Sequence, residues 1–141
     1  MLQRIQSFWL LIACATSLLT LKFPVYSGNQ IGKDNVKTFV VLNAHPNLLI
    51  LILTVINALM AFFAIFMYKN RKLQLRLAIF GIVFSIVNIV VYFFEARNFV
   101  PDEGKVALAA VIALSIPVFF VLAARAIYGD EKLVRDSDRL R

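Results

Sequence analysis

Apolar residues in this chain do not alternate with polar ones; they come in runs. Four stretches, residues 5–23, 48–68, 73–94 and 106–127, are almost continuously apolar. A hydrocarbon core of roughly 30 Å is crossed by about 20 helical residues at about 1.5 Å each. Membrane strands instead alternate apolar and polar positions over about ten residues. The pattern therefore predicts four transmembrane helices. Composition supports this, with 61% hydrophobic residues and a mean hydropathy of +0.82. A soluble domain of this size keeps too much of its surface in water to hide that much apolar area.

The connections set the orientation. With the N-terminus inside, the inner side carries Arg4, Lys69, Arg71, Lys72, Arg76, Arg125, Lys132, Arg135, Arg139 and Arg141. The outer side carries Lys22, Lys33, Lys37, Arg97 and Lys105, ten basic residues against five. Positive-inside bias then places both termini in the cytoplasm. The net charge of +7 is spread over helix ends and the tail, as expected for topology signals and anionic-lipid contacts. No basic face interleaved with exposed aromatics points to nucleic acid.

The outer loop, residues 24–47, holds turn residues between two strand-like pieces, Val25-Tyr26 and residues 36–42. A hairpin lying on the outer surface and a plain spacer both fit. Pro46 suits the first turn of the second span. The second and third spans join through the tight Lys69–Lys72 connection. Residues 98–104, with Pro101 and Gly104, join the third to the fourth. Gly129 is expected to end the fourth span. The cytoplasmic tail, residues 128–141, then reads as a short separate helix capped by Asp130. It is suited to lie on the membrane, cover the bundle or dock a partner.

Helices in lipid associate through close contact and interhelical hydrogen bonds. The third span carries a stripe of small and polar residues at alternating spacings of three and four: Ala78, Gly81, Ser85, Asn88, Tyr92 and Glu95. The second has Thr54, Asn57, Ala58, Ala61, Ala64 and Tyr68. The first offers Ser7, Cys14 and Ser17; the fourth is alanine-rich, with Ser115 and Pro117. The expected fold is an all-α membrane protein, an antiparallel four-transmembrane-helix bundle with a short cytoplasmic C-terminal helix, in a single domain.

Candidate site residues are few. Asn57 and Asn88 fall at mid-span in neighbouring helices. They fit a polar site, or an interhelical hydrogen bond that fixes register. Glu95 and Arg97 stand at the outer end of the third span, where Lys22, His45, Arg97 and Lys105 are candidate partners for the Glu95 carboxylate. That cluster fits a lipid headgroup, a partner contact, or simple interfacial anchoring. Arg125, Arg135 and Arg139 are candidate lipid or partner contacts at the inner face. Cys14 is the single cysteine and His45 the single histidine, which excludes an intrachain disulfide and most zinc, haem and Cys/His-triad chemistry within one chain. Residues 11–14 fit a lipoprotein cleavage pattern, but the apolar run continues past Cys14, so a spanning helix is expected. No cofactor is implied.

Both ends resemble a known family. The opening Met1-Leu2-Gln3-Arg4-Ile5-Gln6-Ser7 is similar to that of small four-span inner-membrane proteins of Bacteroidota, catalogued as a domain of unknown function (DUF4293). The tail segments Arg125-Ala126-Ile127, Asp130-Glu131-Lys132-Leu133-Val134-Arg135 and Asp138-Arg139-Leu140-Arg141 resemble its closing motif. The resemblance implies a bacterial inner-membrane location and assigns no activity or catalytic residue. The sequence thus predicts a multi-pass, non-enzymatic accessory or scaffold subunit whose partners are membrane lipids and either a second protein or further copies of itself. The alternative is a small oligomeric transporter or channel. A lipid enzyme using Glu95 or His45 is a weaker fit, since acids and histidines do not cluster.

Overall fold

A computed structural model of the chain describes residues 2–31, 37–44, 47–100 and 103–139, the side chains of 2–4 and 135–139 aside. Four helices dominate: α1 (Leu2–Lys22), α2 (Leu48–Phe66), α3 (Arg71–Ala96) and α4 (Ala109–Arg139). Each contains a window long and apolar enough to cross a membrane. The helices form a ring in which α1 packs on α2 and α4, and α3 packs on the same two. The chain reverses direction between successive helices, so the bundle is antiparallel.

The reason for the ring lies in the small-residue stripes. On α2 the buried positions are Ile50, Leu53, Thr54, Asn57, Ala58, Ala61 and Ala64. On α3 they are Gln74, Ala78, Gly81, Ser85, Asn88 and Tyr92. Small side chains let the backbones approach, while large ones face outward. Phe62, Phe66, Phe80, Val83, Phe93 and Val118 are each about half exposed or more. No more than a third of each spanning window is buried within the bundle. An outer surface this apolar needs lipid around it, and the chain is a multi-pass membrane protein.

The bundle axis is filled. Away from the sheet, Leu10, Ala13, Ala61, Ala64, Ile116, Phe120 and Ala123 form one buried cluster. Phe120 lies flat against Gly81, where any side chain would overlap its ring. Trp9 stacks on Phe119 alongside this cluster, with ring centroids 6.1 Å apart. A second cluster, Val25, Leu42, Ala44, Ile50, Tyr92, Phe99 and Ala113, closes the other end.

That end carries a three-stranded antiparallel sheet, an exception to an all-helical fold. Strand β1 (Tyr26–Ile31) pairs with β2 (Lys37–Leu42), Tyr26 opposite Leu42 and Ile31 opposite Lys37. Of the two readings of the outer loop, a hairpin and a plain spacer, the paired strands match the hairpin. The third strand, β3 (Lys105–Val106), pairs with the other edge of β1. It is two residues long, too short to show periodicity in a sequence. Gly28 lets the chain pass close to Gly104, whose Cα would lie 2.8 Å from an added Cβ.

The tail also differs from expectation. It is helical, but as an uninterrupted continuation of α4 to Arg139, with Gly129 inside the helix rather than ending it. Nothing lies within 4 Å of a Cβ built on Gly129, so no contact there forces a break. Pro117 is likewise accommodated within α4. Helix α1 runs past half-buried Cys14 to Lys22. His45, Pro46, residues 32–36, Pro101, Leu140 and Arg141 lie outside the described residues.

Candidate functional site

Polar side chains gather at three levels of the bundle. At the sheet end, Asn47 has two roles. Its Oδ1 accepts from the Leu49 N–H at 3.0 Å and so caps α2. Its Nδ2 donates to Glu95 Oε1 at 2.7 Å. The other Glu95 oxygen accepts from Asn98 Nδ2 at 3.2 Å. Glu95 is thus held by two amides, and among the described residues no cation pairs with it. Lys22, Arg97 and Lys105, the basic partners considered from sequence, do not bridge it; His45 lies outside the described residues. The helix explains Arg97: two residues apart means about 200° of rotation, so Glu95 and Arg97 face opposite ways.

The same end carries a second polar group on the sheet. Lys37 Nζ meets Glu103 Oε1 at 2.6 Å, and Asn29 Nδ2 donates to Glu103 Oε2 at 2.9 Å. Together the ammonium and the amide hold the Glu103 carboxyl below the usual carboxylate range. This pair ties β2 to the turn before β3.

At mid-span, Asn88 Nδ2 donates to Thr54 Oγ1 at 3.0 Å, joining α3 to α2. The Thr54 hydroxyl in turn donates to its own helix at Ile50 O, 2.7 Å away. Asn57 is fully buried one turn along α2, yet among the described residues neither end of its amide has a hydrogen-bond partner; nor has the Asn88 Oδ1. The two mid-span asparagines do not bond each other. Thr54 takes the place of Asn57, because residues three apart on α2 share a face. Ser17, Thr20 and Ser85, also in the seams, donate to carbonyls of their own helices.

The opposite end is fastened by groups the sequence did not single out as site residues. Gln74 Nε2 donates to Ala64 O at 3.0 Å across the α2–α3 hairpin. Gln6 Nε2 donates to both the Asp130 carboxylate and the Ala126 carbonyl. Arg71 Nη1 reaches Asp130 O at 3.2 Å. Asp130 is therefore a buried junction of α1, α3 and α4, not the cap of a separate tail helix. The sequence signal was present: Gln6 is a polar residue seven before Ala13 on the buried face of α1. Arg125 is exposed on α4. The side chains of Arg135 and Arg139 lie outside the described residues.

Chemically, these arrangements hold helices together. Among the described residues no group of three or more His, Cys, Asp or Glu could hold a metal ion. Each carboxylate that is engaged meets amides or one lysine, and each buried hydroxyl with a partner serves a backbone carbonyl or an amide. No curated protein and no solved structure matches the chain. The family described as a domain of unknown function (DUF4293) does match, over residues 2–140. Four spanning helices, matched ends and this near-complete coverage agree: the chain belongs to the DUF4293 family.

Proposed function

We propose that the protein is a non-enzymatic accessory or scaffold subunit of a bacterial inner-membrane assembly, with both termini in the cytoplasm. One observation carries this reading. The bundle axis is plugged by Leu10, Phe120 and the alanines around them, and Gln6, Gln74 and Asn88 beside it donate to neighbouring helices. A protein built this way offers its surfaces, not its interior. The charge distribution, ten basic residues against five, supports the orientation. The continuation of α4 past the apolar window to Arg139 supports a partner contact on that side, with Leu133 more than half exposed among charged neighbours.

Copurification from native membranes in mild detergent tests the reading. A partner retained at fixed stoichiometry, and released on removal of residues 131–141, is the expected result. A lone species in every native preparation overturns it. A small transporter has one observation in its favour, the unpartnered amide of Asn57 at mid-span. Ion or solute flux in proteoliposomes, abolished by Asn57→Leu, would establish that reading instead.

A further inference from the structure

A crevice of about 370 Å³ opens between α3 and α4 just beneath the sheet. That volume is within the range of small-molecule sites, about 300–1,000 Å³. Its origin is in the size of the side chains along the α3–α4 groove. Where α4 carries Phe120, the ring fills the groove against Gly81. Two and three turns nearer the sheet the same face of α4 carries Ala113 and Ala110, and Ala96 of α3 lines the gap with them. Three methyl groups cannot fill the space that one ring fills lower down. Tyr26, Leu42 and Val106 of the three strands line its roof.

The crevice has a dry side and a charged end. Its lips are Phe93 and Leu114, which are 65% and 56% exposed on the outward faces of their helices. It therefore opens sideways, into lipid and not into the bundle. Its lining is overwhelmingly apolar, so water gains little by occupying it. Arg97 stands at the sheet end of the lining, where α3 leaves its apolar window. Among the described residues no carboxylate pairs with Arg97; the nearest in sequence, Glu95, is engaged by Asn47 and Asn98.

We propose that this crevice is a binding site for one acyl chain of an anionic phospholipid, whose phosphate is held by Arg97. A hydrocarbon slot reached from the bilayer, with a guanidinium at headgroup depth that no carboxylate among the described residues pairs, matches a ligand with a long apolar part below and an anion above. A free anion would leave the slot empty. A partner helix is about 10 Å wide and would have to displace the lips. The proposal requires only that the bundle sits in a bilayer, and stands apart from the scaffold reading.

Native mass spectrometry of the full chain in detergent tests it. The chain is titrated with phosphatidylglycerol or phosphatidylethanolamine of identical acyl chains. The intact protein should prefer phosphatidylglycerol. Arg97→Gln, an exposed change that leaves the bundle untouched, should weaken phosphatidylglycerol roughly fivefold, the effect of one basic residue at an anionic surface, and leave phosphatidylethanolamine unchanged. Ala110→Leu, which fills the slot, should weaken both lipids alike. Arg76→Gln, at the far end of α3, should change neither. Equal loss in Arg97→Gln and Arg76→Gln would overturn the proposal, since that is general charge attraction. Undiminished binding in Ala110→Leu, or displacement of the lipid by glycerol phosphate alone, would overturn it as well.

Discussion

Adding one methyl group to Gly81 should separate α3 from α4. A Cβ there would stand 2.6 Å from Phe120 Cδ1 and 2.7 Å from its Cζ, well inside van der Waals contact. Phe120 is fully buried, so the ring has nowhere to swing and the helices must move. Overpacking of this kind costs about 1–3 kcal/mol. Replacing glycine by alanine within a helix returns about 1 kcal/mol through backbone entropy. Gly81→Ala alone should therefore lose up to about 2 kcal/mol net. In a Phe120→Leu background the clash is gone, and the same change should stabilise by up to about 1 kcal/mol. The quantity that tests the contact is the coupling, about 1–3 kcal/mol from the double-mutant cycle. Reversible unfolding in mixed micelles, followed by circular dichroism, reads all four proteins. Gly81→Ala effects that agree within about 0.5 kcal/mol in the two backgrounds would refute the packing described for α3 and α4.

Other predictions concern the polar ties. Asn88→Leu should cost about 0.6 kcal/mol, the average for an interhelical bond in membranes, because Thr54 keeps its bond to Ile50 O. Asn57→Leu should be neutral or stabilising in the same unfolding assay, since that amide has no partner to lose among the described residues. Gln6→Leu should cost about 1–3 kcal/mol by leaving the buried Asp130 carboxylate short of a donor, and limited proteolysis should then cut nearer the start of α1. In the turn before β3, Glu103 has its carboxyl held below its ordinary value by Lys37 and Asn29. The sign follows from linkage: this contribution is fully present above the unfolded carboxyl range and fades as pH falls through the lower folded value. Glu103→Gln should remove that part of the acid dependence of the thermal midpoint, by an amount kept small by exposure to water.

The helices were legible because lipid imposes continuous apolar runs, and no soluble element imitates them. The seam on α3 was legible for a related reason. Glycine, serine and asparagine stand out against isoleucine, valine and phenylalanine, and their spacing selects one face. Pairings across helices were not legible. Which polar group on α2 meets Asn88 depends on the axial offset of two helices, and a shift of one turn exchanges Asn57 for Thr54. Asp130 resembled a cap because capping residues and buried junctions use the same side chains; only the approach of Gln6 from α1 separates the two. The crevice left no mark in the sequence, since it is defined by what Ala96, Ala110 and Ala113 fail to fill.

Sidedness of the connections decides whether the chain crosses the bilayer four times. In a Cys14→Ser background, single cysteines at Asn70, in the α2–α3 link, and Asn98, in the α3–α4 link, are exposed to a membrane-impermeant maleimide in sealed inner-membrane vesicles of known orientation. Asn98→Cys should react only from the periplasmic side and Asn70→Cys only from the cytoplasmic side. Labelling of both positions from one side, without disrupting the membrane, would contradict a four-span bundle.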